Sequence, residues 1–325
     1  MKTVRIDLFE NKEDSLFRVV RFGDSEIKPV VTVEEVKGAH CVVVGSTSNP
    51  VNENYMTLFL TLDALRRSGA PKISVVMPYM GYSRQNQQHL PGEPVSAQVV
   101  VRILEMLGMD EMVTFDLHEE QLGGFFTVPL HHLSGFPVLA KHVAAALSAQ
   151  AGLVAASTQA GTSPAATNIV VVSPDQGGIE RTRRFRDEIE KILKQVQDDR
   201  IIVNEQIAML EKKRNLSGTH DVVPVEFSGA SVHDAIVIIP DDVIVSGGTI
   251  VNAAIAAKEK GAREIYLCAT HADFIEGTVE KLQRAPVEKV FVCDTIPIRE
   301  EWKFEKLEIV SVKELIKKRY YETYC

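Results

Sequence analysis

Residues 236–260, IVIIPDDVIVSGGTIVNAAIAAKEK, constrain the fold of this chain more than any other stretch. The run 236–239 is apolar and β-branched, which predicts a strand buried on both of its faces. Two carboxylates, Asp241 and Asp242, come next, and a loop with two glycines separates them from an Ala-rich segment of helical character. A buried strand that leads through a short loop into a helix is the repeating unit of a parallel α/β sheet.

The loop of residues 246–249 has the composition of a phosphate-binding turn. It consists of Ser246, Gly247, Gly248 and Thr249. Backbone N–H groups, two hydroxyls and a helix start can together hold a phosphate, and the adjacent acids can hold vicinal sugar hydroxyls or a hydrated Mg²⁺. A solvated strand-to-helix turn is the alternative. The stretch resembles the ribose-phosphate loop of the phosphoribosyltransferase fold, which implies a 5-phosphoribose ligand and leaves the reaction open.

Composition and charge exclude several classes of function. The chain has 325 residues, enough for two domains, and 45% of them are hydrophobic while 25% are charged, as in a globular protein. A net charge of -8 without a basic block argues against a nucleic-acid surface. No apolar run approaches the roughly 18 residues of a membrane span, and the first residues lack a signal-peptide core. We therefore expect neither a nucleic-acid partner nor a membrane partner.

The four cysteines indicate a reducing compartment. Cys41, Cys268, Cys293 and Cys325 have no metal-type spacing, and the first three lie in strand-like runs where cysteine is a small core residue. We therefore expect a cytoplasmic protein.

The order of strand-like and helix-like segments predicts an α/β protein with mostly parallel sheets flanked by helices. Residues 4–8 and 17–22 predict an opening hairpin, and residues 138–147 predict a helix. Residues 148–167 are rich in Ala, Ser, Thr and Gly, which favours a linker or a surface insertion.

The sequence contains a weak internal repeat. Residues 64–79, ALRRSGAPKISVVMPY, parallel residues 256–271, AAKEKGAREIYLCATH, in a helix end, a Gly-Ala pair, a charge and a buried strand. Two copies of one α/β unit would explain the similarity, and so would coincidence between two ordinary βαβ units. In both cases ligands are expected beyond the carboxyl ends of the strands.

Two motifs place carboxylates at such strand ends. DLHEEQ puts Asp116 and His118 after a strand, where an imidazole beside a carboxylate can bind a metal or its water; a histidine satisfied by local hydrogen bonds is the alternative. SPDQGG puts Asp175 before two glycines that a phosphate can approach, and an Asp cap on a glycine turn is the alternative.

Two polar motifs carry cations. EKKR includes Lys212 and Arg214, which can close over a polyphosphate, although a solvated charge run is the usual interpretation. YSRQNQQ offers Arg84 and Gln85, which can bind a purine edge and a phosphate, although a turn is at least as well supported.

The motif RFGDSE carries an aromatic residue near two acids. Phe22 can stack on a base, with Asp24 and Glu26 beside it, but the motif alone favours a hairpin turn. The pair His131 and His132 is interpreted as surface or core packing and not as a metal site.

Taken together and in order, these motifs resemble the ribose-phosphate diphosphokinases, also called 5-phosphoribosyl 1-diphosphate synthetases. The matching stretches are RFGDSE, GSTSNPVNEN, DALRRSGA, PYMGYSRQ, GEPVSAQ, FDLHEEQLGGFF, VVSPDQGGIERTRR, LEKKR and DDVIVSGGT. Each motif alone is weak, but the series follows the family's order from about residue 21 to residue 253.

The resemblance implies transfer of the β,γ-diphosphoryl group of ATP to the 1-hydroxyl of ribose 5-phosphate, with Mg²⁺. It implies an ATP site formed by Phe22, Asp24, Glu26, Arg84, Gln85 and His118. It implies a ribose 5-phosphate site formed by Asp241, Asp242, Ser246, Gly247, Gly248 and Thr249. It links His118 and Asp175 to the metal, and it places Lys212 and Arg214 on a mobile loop that closes over the transferring group.

The resemblance also implies two similar phosphoribosyltransferase-type domains and an assembly. An ATP-binding domain is expected over residues 1–150, a ribose-5-phosphate-binding domain over 151–305, and a C-terminal segment over 306–325 that packs back on the first domain. At least a homodimer is expected, because in the family Phe22, Asp24 and Glu26 would reach the adenine of a neighbouring subunit.

The chain departs from the family at several positions. Val245 stands where many members have an aspartate in the phosphate loop, and Asn86 stands where an aspartate follows Arg-Gln.

Two other functions share some of the motifs. A phosphoribosyltransferase would share the 241–249 loop without needing EKKR, DLH and PDQGG together, and a non-catalytic regulatory subunit would have lost the loop cations or the acid pair.

Overall fold

The computed structural model describes residues 1–8, 16–157, 167–196, 201–211 and 226–320. The chain divides into two compact units, one formed by residues 1–134 with the C-terminal segment from Lys313, the other by residues 135–312. Among all the residues that the structure describes, no helix has both the length and the apolar character needed to cross a membrane.

The first unit is built on a five-stranded, wholly parallel sheet. Its strands are β1 (Thr3–Asp7), β4 (His40–Val44), β5 (Lys72–Val76), β6 (Glu111–Phe115) and β7 (Leu130–Leu133), which lie in the order β1-β4-β5-β6-β7. Its helices are α1 (Val33–Val36), α2 (Val51–Arg67), α3 (Ser96–Met106) and α8 (Lys313–Tyr320). A separate antiparallel hairpin is formed by β2 (Phe17–Arg21) and β3 (Ile27–Val31).

Apolar side chains cover both faces of the first sheet. The larger core includes Ile73 and Val75 of β5 with Leu62 of α2 and Leu104 of α3, all fully or almost fully buried. On the other face Ile316 of α8 packs against valines of β4, β5 and β6. Strands of a sheet that is covered on both faces need nearly continuous apolar sequences, and the central strands of this sheet have them.

The second unit contains an eight-stranded sheet. Its strands are β8 (Thr167–Ser173), β9 (Ile201–Val203), β10 (Ala208–Glu211), β11 (Glu226–Gly229), β12 (Ile236–Ile244), β13 (Glu264–Ala272), β14 (Lys289–Cys293) and β15 (Leu307–Val310). The order is β11-β10-β8-β12-β13-β14-β15, with β9 on β8, and every pair is parallel except β10 with β11. Its helices are α4 (Phe136–Ser157), α5 (Ile179–Val196), α6 (Gly248–Glu259) and α7 (Thr278–Arg284).

The internal repeat corresponds to the same local structure in both units. Each stretch ends a helix and enters the next parallel strand, α2 into β5 and α6 into β13. Gly69 and Gly261 have φ angles of +84° and +86°, and the amides of Ala70 and Ala262 bond carbonyls five residues earlier at 3.1 and 3.0 Å. This is the same glycine-terminated helix cap in two places. The predicted α/β fold with two similar domains is confirmed.

The predicted opening hairpin is wrong. Strand β1 pairs in parallel with β4, whereas β2 pairs with β3. The apolar alternation of the first segment fits a sheet edge as well as a hairpin, so only the tertiary fold selects the partner.

The helix predicted over residues 138–147 is longer than expected. It runs from Phe136 to Ser157, so the first ten residues of the predicted linker continue it. Alanine is the best helix former and is frequent here, which outweighs the scattered serine and glycine. Helix α4 packs on α5 and on β13, β14 and β15. The compact units divide after residue 134 and after residue 312. The domain bounds at 150 and 305 stay a prediction.

Candidate active site

The acid pair lies within strand β12 and not after it. The strand was predicted to end at residue 239 but continues to Ile244, and Asp241 pairs in register with Ala269 of β13. Two carboxylates can remain in a strand here because they occupy its carboxyl-terminal half, near the end where α6 begins. Asp242 is buried, with 4% of its surface exposed. The pair therefore lies at the carboxyl ends of the strands, where parallel α/β folds bind ligands.

The phosphate loop is the short turn between β12 and α6. The helix starts at Gly248, so Gly248 and Thr249, which the sequence assigned to the loop, are its first residues. Gly247 precedes it with a φ of +70°, a left-handed conformation that glycine adopts without strain. The first N–H groups of a helix have no intrahelical acceptor, and the helix dipole is positive there. The loop thus has the donors and the field that a phosphate requires.

Asp175 follows β8, the strand next to β12. Its Oδ1 accepts a hydrogen bond of 2.9 Å from the Gly178 amide, just before α5 begins. A Cβ at Gly178 would lie 2.9 Å from the Ser173 hydroxyl oxygen, so a larger residue here would require that hydroxyl to shift. Asp175 therefore caps a glycine turn, which was the alternative interpretation of SPDQGG. Asp175 stays partly exposed at the carboxyl end of β8.

Arg181, on the first turn of α5, connects these elements. Its Nη1 donates to Oδ1 of Asp241 and to Oδ1 of Asp242. The three side chains are 15%, 16% and 6% exposed, respectively. No sequence motif predicted a role for Arg181, although it lies three residues after Gly178. Its position at the start of a helix that follows a motif-bearing strand end is the signal that could have identified it.

The charges of this cluster shift one another's pKa values. Burial lowers the pKa of Arg181, but the carboxylates of Asp242, Asp241 and Asp175 outweigh that effect and raise it above its ordinary value. Burial and the neighbouring charge of Asp242 raise the pKa of Asp241 well above its usual range, and Arg181 opposes the rise. Arg181 therefore favours the ionised form of a carboxylate whose pKa burial raises.

In the first unit, Arg84 and Gln85 lie on a turn that follows β5. The Tyr55 hydroxyl donates to the Gly81 carbonyl at 2.7 Å, and the Gly81 amide donates to the Thr47 hydroxyl at 2.8 Å. The Gln85 amide bonds the Tyr82 carbonyl at 2.8 Å. A buried network thus fixes the turn, which leaves Arg84 and Gln85 exposed.

His118 follows β6 on the DLH turn, where it is partly buried. The turn is held by a residue that the sequence analysis assigned to packing: the Leu117 amide donates to Nε2 of His132 at 2.9 Å. His132 must accept at this nitrogen, so its neutral ring carries the proton on Nδ1. Its neighbour His131 lies 3.7 Å from Glu111.

Phe22, Asp24 and Glu26 form the tip of the β2–β3 hairpin. The Phe22 amide bonds the Glu26 carbonyl at 2.9 Å, and the Glu26 amide bonds Oδ1 of Asp24 at 3.1 Å. The Phe22 ring is 45% exposed, with the Lys28 ammonium 5.4 Å from its centroid. The hairpin turn favoured by the sequence is thus present, and it displays an aromatic ring to solvent.

The predicted site residues divide between the two units. Asp175, the acid pair and the phosphate loop lie in the second unit, and the nucleotide-binding candidates lie in the first. Lys212 and Arg214 lie outside the described residues. Within the described ranges, no three side chains of His, Cys, Asp or Glu form a cluster able to hold a metal by themselves.

Comparisons with known proteins identify the family of this chain. The family model described as the N-terminal domain of ribose phosphate pyrophosphokinase matches residues 11–108, and the phosphoribosyl synthetase-associated domain matches residues 198–321. A ribose-phosphate pyrophosphokinase of Fusobacterium nucleatum subsp. nucleatum is 34% identical over 90% of this chain and 82% of its own. Ribose-phosphate pyrophosphokinase 1 of Streptococcus pyogenes serotype M3 is 35% identical over 92% of this chain and 83% of its own.

A solved structure shows the same fold. The phosphoribosylpyrophosphate synthetase from Mycobacterium smegmatis superimposes with a TM-score of 0.79 and 26% identity, covering 95% of this chain and 90% of its own. From motif order, fold and relatives alike, the chain belongs to the ribose-phosphate pyrophosphokinase family.

Proposed function

We propose that this protein is a ribose-phosphate diphosphokinase that converts ATP and ribose 5-phosphate into 5-phosphoribosyl 1-diphosphate and AMP, for nucleotide biosynthesis. The observation that carries the proposal is the junction of β12 with α6. There a buried acid pair and a turn with helix-start N–H groups stand five residues apart, in a chain of this family. A five-carbon sugar phosphate carries the two kinds of group that these features can bind, vicinal hydroxyls and a phosphate.

The second unit supplies the acceptor site. The carboxylates of Asp241 and Asp242 accept hydrogen bonds from the two ring hydroxyls, and the loop from Ser246 to Thr249 binds the 5-phosphate. Arg181 donates to both carboxylates and so favours their ionised form, which is the state that accepts from hydroxyls. Anchoring the sugar at both ends fixes the direction of its anomeric hydroxyl.

The residues present fit a Mg²⁺ ion that is completed by substrate. Mg²⁺ prefers oxygen ligands, keeps several waters and is commonly held by one or two carboxylates together with substrate phosphates. The partly exposed Asp175 carboxylate at the end of β8 meets that requirement, so a preformed cage is unnecessary. Asp175 and His118, through water, would hold the ion, which would neutralise charge on the transferring diphosphoryl group.

The first unit supplies the donor site. Arg84 and Gln85, exposed on a rigid turn, bind ATP together with His118. The exposed Phe22 ring with Asp24 and Glu26 stacks on the adenine bound to a neighbouring subunit, which makes the protein at least a homodimer with a shared nucleotide site. Lys212 and Arg214 close over the transferring group.

The chemistry needs no protein nucleophile. The anomeric hydroxyl attacks the β-phosphorus of ATP and releases its proton to water. The bond between that phosphorus and the α,β-bridging oxygen breaks, and AMP leaves with the oxygen. Positioning and charge neutralisation supply most of the acceleration in such transfers. The protein's contribution is therefore the fixed geometry of the two substrates and the cations around them.

Chromatographic detection of products tests the proposal. Purified protein with Mg²⁺, ATP and ribose 5-phosphate should form AMP and 5-phosphoribosyl 1-diphosphate in equal amounts, and should form neither when the sugar phosphate is left out. No AMP under these conditions would contradict the proposal. Consumption of added 5-phosphoribosyl 1-diphosphate with a nucleobase, without AMP formation from ATP, would favour a phosphoribosyltransferase instead.

A further inference from the structure

Helix α7 contacts the phosphate loop, although it lies outside every motif recognised in the sequence. The hydroxyl of Thr278, its first residue, donates to the Val245 carbonyl at 2.7 Å. The ammonium of Lys281, one turn later, donates to the Ser246 carbonyl at 3.3 Å. Two successive carbonyls of the loop are thus bound by two side chains of one short helix.

These bonds determine where the loop's amides point. A trans peptide group is planar, so the N–H of one residue points opposite to the C=O of the residue before it. Because the Val245 and Ser246 carbonyls face α7, the N–H groups of Ser246 and Gly247 face away from it. Neither N–H donates to any other group in the described ranges of the chain. They are therefore available to a ligand on the side of the loop opposite α7.

Further contacts make this arrangement rigid. Thr278 is fully buried, and its hydroxyl also accepts from the Ile275 amide at 3.3 Å. The Ile275 amide bonds the Val245 carbonyl as well, at 3.3 Å. Val245 participates through its backbone, so the loss of the family's aspartate at this position leaves the contact with α7 intact.

We propose that Thr278 and Lys281 are positioning residues of the ribose 5-phosphate site, which hold two loop carbonyls on the α7 side so that the amides of Ser246 and Gly247 bind the 5-phosphate. Lys281 also brings a positive charge to the loop. The inference rests on the proposed function, since it names what orients that site. It is distinct from packing, because a helix that only filled space would not need the Thr278 hydroxyl.

A matched pair of variants separates orientation from packing. Thr278→Val keeps the branched shape of the buried side chain and removes the hydroxyl, whereas Thr278→Ser keeps the hydroxyl. Loss of one buried hydrogen bond corresponds to about a tenfold change in an equilibrium constant. We expect Thr278→Val to raise the dissociation constant and the KM for ribose 5-phosphate about tenfold, with the KM for ATP unchanged, and Thr278→Ser to restore both.

Lysine variants provide a second comparison on exposed residues, where folding is not at risk. Lys281→Met should raise the KM for ribose 5-phosphate about two- to threefold, as expected for an exposed charge. Lys258→Met is the control, because Lys258 also donates to a backbone carbonyl, that of Arg263 at 3.0 Å, but at the opposite end of α6. It should leave the KM for ribose 5-phosphate as it is.

Calorimetric binding of ribose 5-phosphate, measured together with turnover and Tm, distinguishes failure of the inference from failure of the proposed function. Equal affinity of Thr278→Val and the unaltered protein would overturn the inference, as would equal effects of the valine and serine variants. Binding of the sugar phosphate without AMP formation would contradict the proposed function but not the inference. An unaltered protein that binds no ribose 5-phosphate would contradict both.

Discussion

Replacing Arg181 with glutamine tests how the acid pair is kept ready for the sugar. The guanidinium bonds both Asp241 and Asp242, and all three side chains are at most 16% exposed. Removing one partner of a buried ion pair costs roughly 3–5 kcal/mol, because the remaining charge stays buried without compensation. We expect a loss of stability near the lower limit, since Asp241 can relieve the repulsion by binding a proton.

The stability deficit of Arg181→Gln should depend on pH in a defined direction. Burial and Asp242 raise the pKa of Asp241 in the folded protein, and Arg181 opposes the rise. Without Arg181 the folded-state pKa increases further, whereas the unfolded-state pKa does not change. A folded state that binds more protons gains stability as the pH falls. The deficit should therefore be complete above the new pKa and should shrink as the pH falls through it.

Activity should follow the same titration. A protonated Asp241 donates where the sugar hydroxyls need an acceptor, so binding of ribose 5-phosphate requires the ionised form. We expect the acid limb of the pH profile of kcat/KM for ribose 5-phosphate to move to higher pH in Arg181→Gln. Each unit of displacement corresponds to about 1.4 kcal/mol of lost interaction with the carboxylate.

The assay is AMP formation at saturating ATP over the pH range in which both proteins remain folded, with chemical unfolding over the same range. Arg183→Gln is the control, because Arg183 lies on the same helix, is 61% exposed and lies only 3.7 Å from an exposed glutamate, Glu180. The reasoning is refuted by an unchanged acid limb in Arg181→Gln, or by a stability deficit that grows on acidification.

Three further substitutions test separate parts of the site. Gly247→Ala places a side chain at a φ of +70°, which costs about 1–2 kcal/mol. Steady-state kinetics should show a higher KM for ribose 5-phosphate with the KM for ATP unchanged, and a normal KM for ribose 5-phosphate would refute the role of this conformation. Asp242→Asn removes a charge-assisted acceptor, so calorimetry should show ribose 5-phosphate affinity lower by about 1.5–3 kcal/mol, and retained affinity would count against the sugar contact. His132→Phe keeps a ring but removes the acceptor of the Leu117 amide. Tm should fall, and the Mg²⁺ concentration for half-maximal activity should rise. If only Tm changes, His132 supports the fold and not the function of the DLH turn.

The sequence predicted the parts of the site that are local in the chain. The acid pair and the phosphate loop share one strand–helix junction, so their proximity follows from a few residues of covalent structure. The role of Arg181 could not be predicted in this way, because it depends on α5 packing with its first turn against a strand end 60 residues later. The same holds for Thr278, which reaches the loop from a helix 33 residues away.

The errors in the predicted fold have a similar origin. Strand β12 was predicted to stop at residue 239 because two acids interrupt its apolar run, yet pairing with β13 continues to Ile244. The partner of β1 was misassigned because a short apolar segment does not specify which neighbour it pairs with. Helix α4 was cut short because its small residues also occur in linkers, although Ala favours a helix once the segment can pack on α5.

The most direct test of this account is a crystal structure of the protein with ribose 5-phosphate, Mg²⁺ and a non-hydrolysable ATP analogue. The account predicts the 5-phosphate on the amides of residues 246–249, the ring hydroxyls on Asp241 and Asp242, and the β-phosphorus about 3–3.5 Å from the anomeric oxygen. A sugar phosphate bound away from the acid pair, or an anomeric oxygen turned away from the nucleotide, would contradict it.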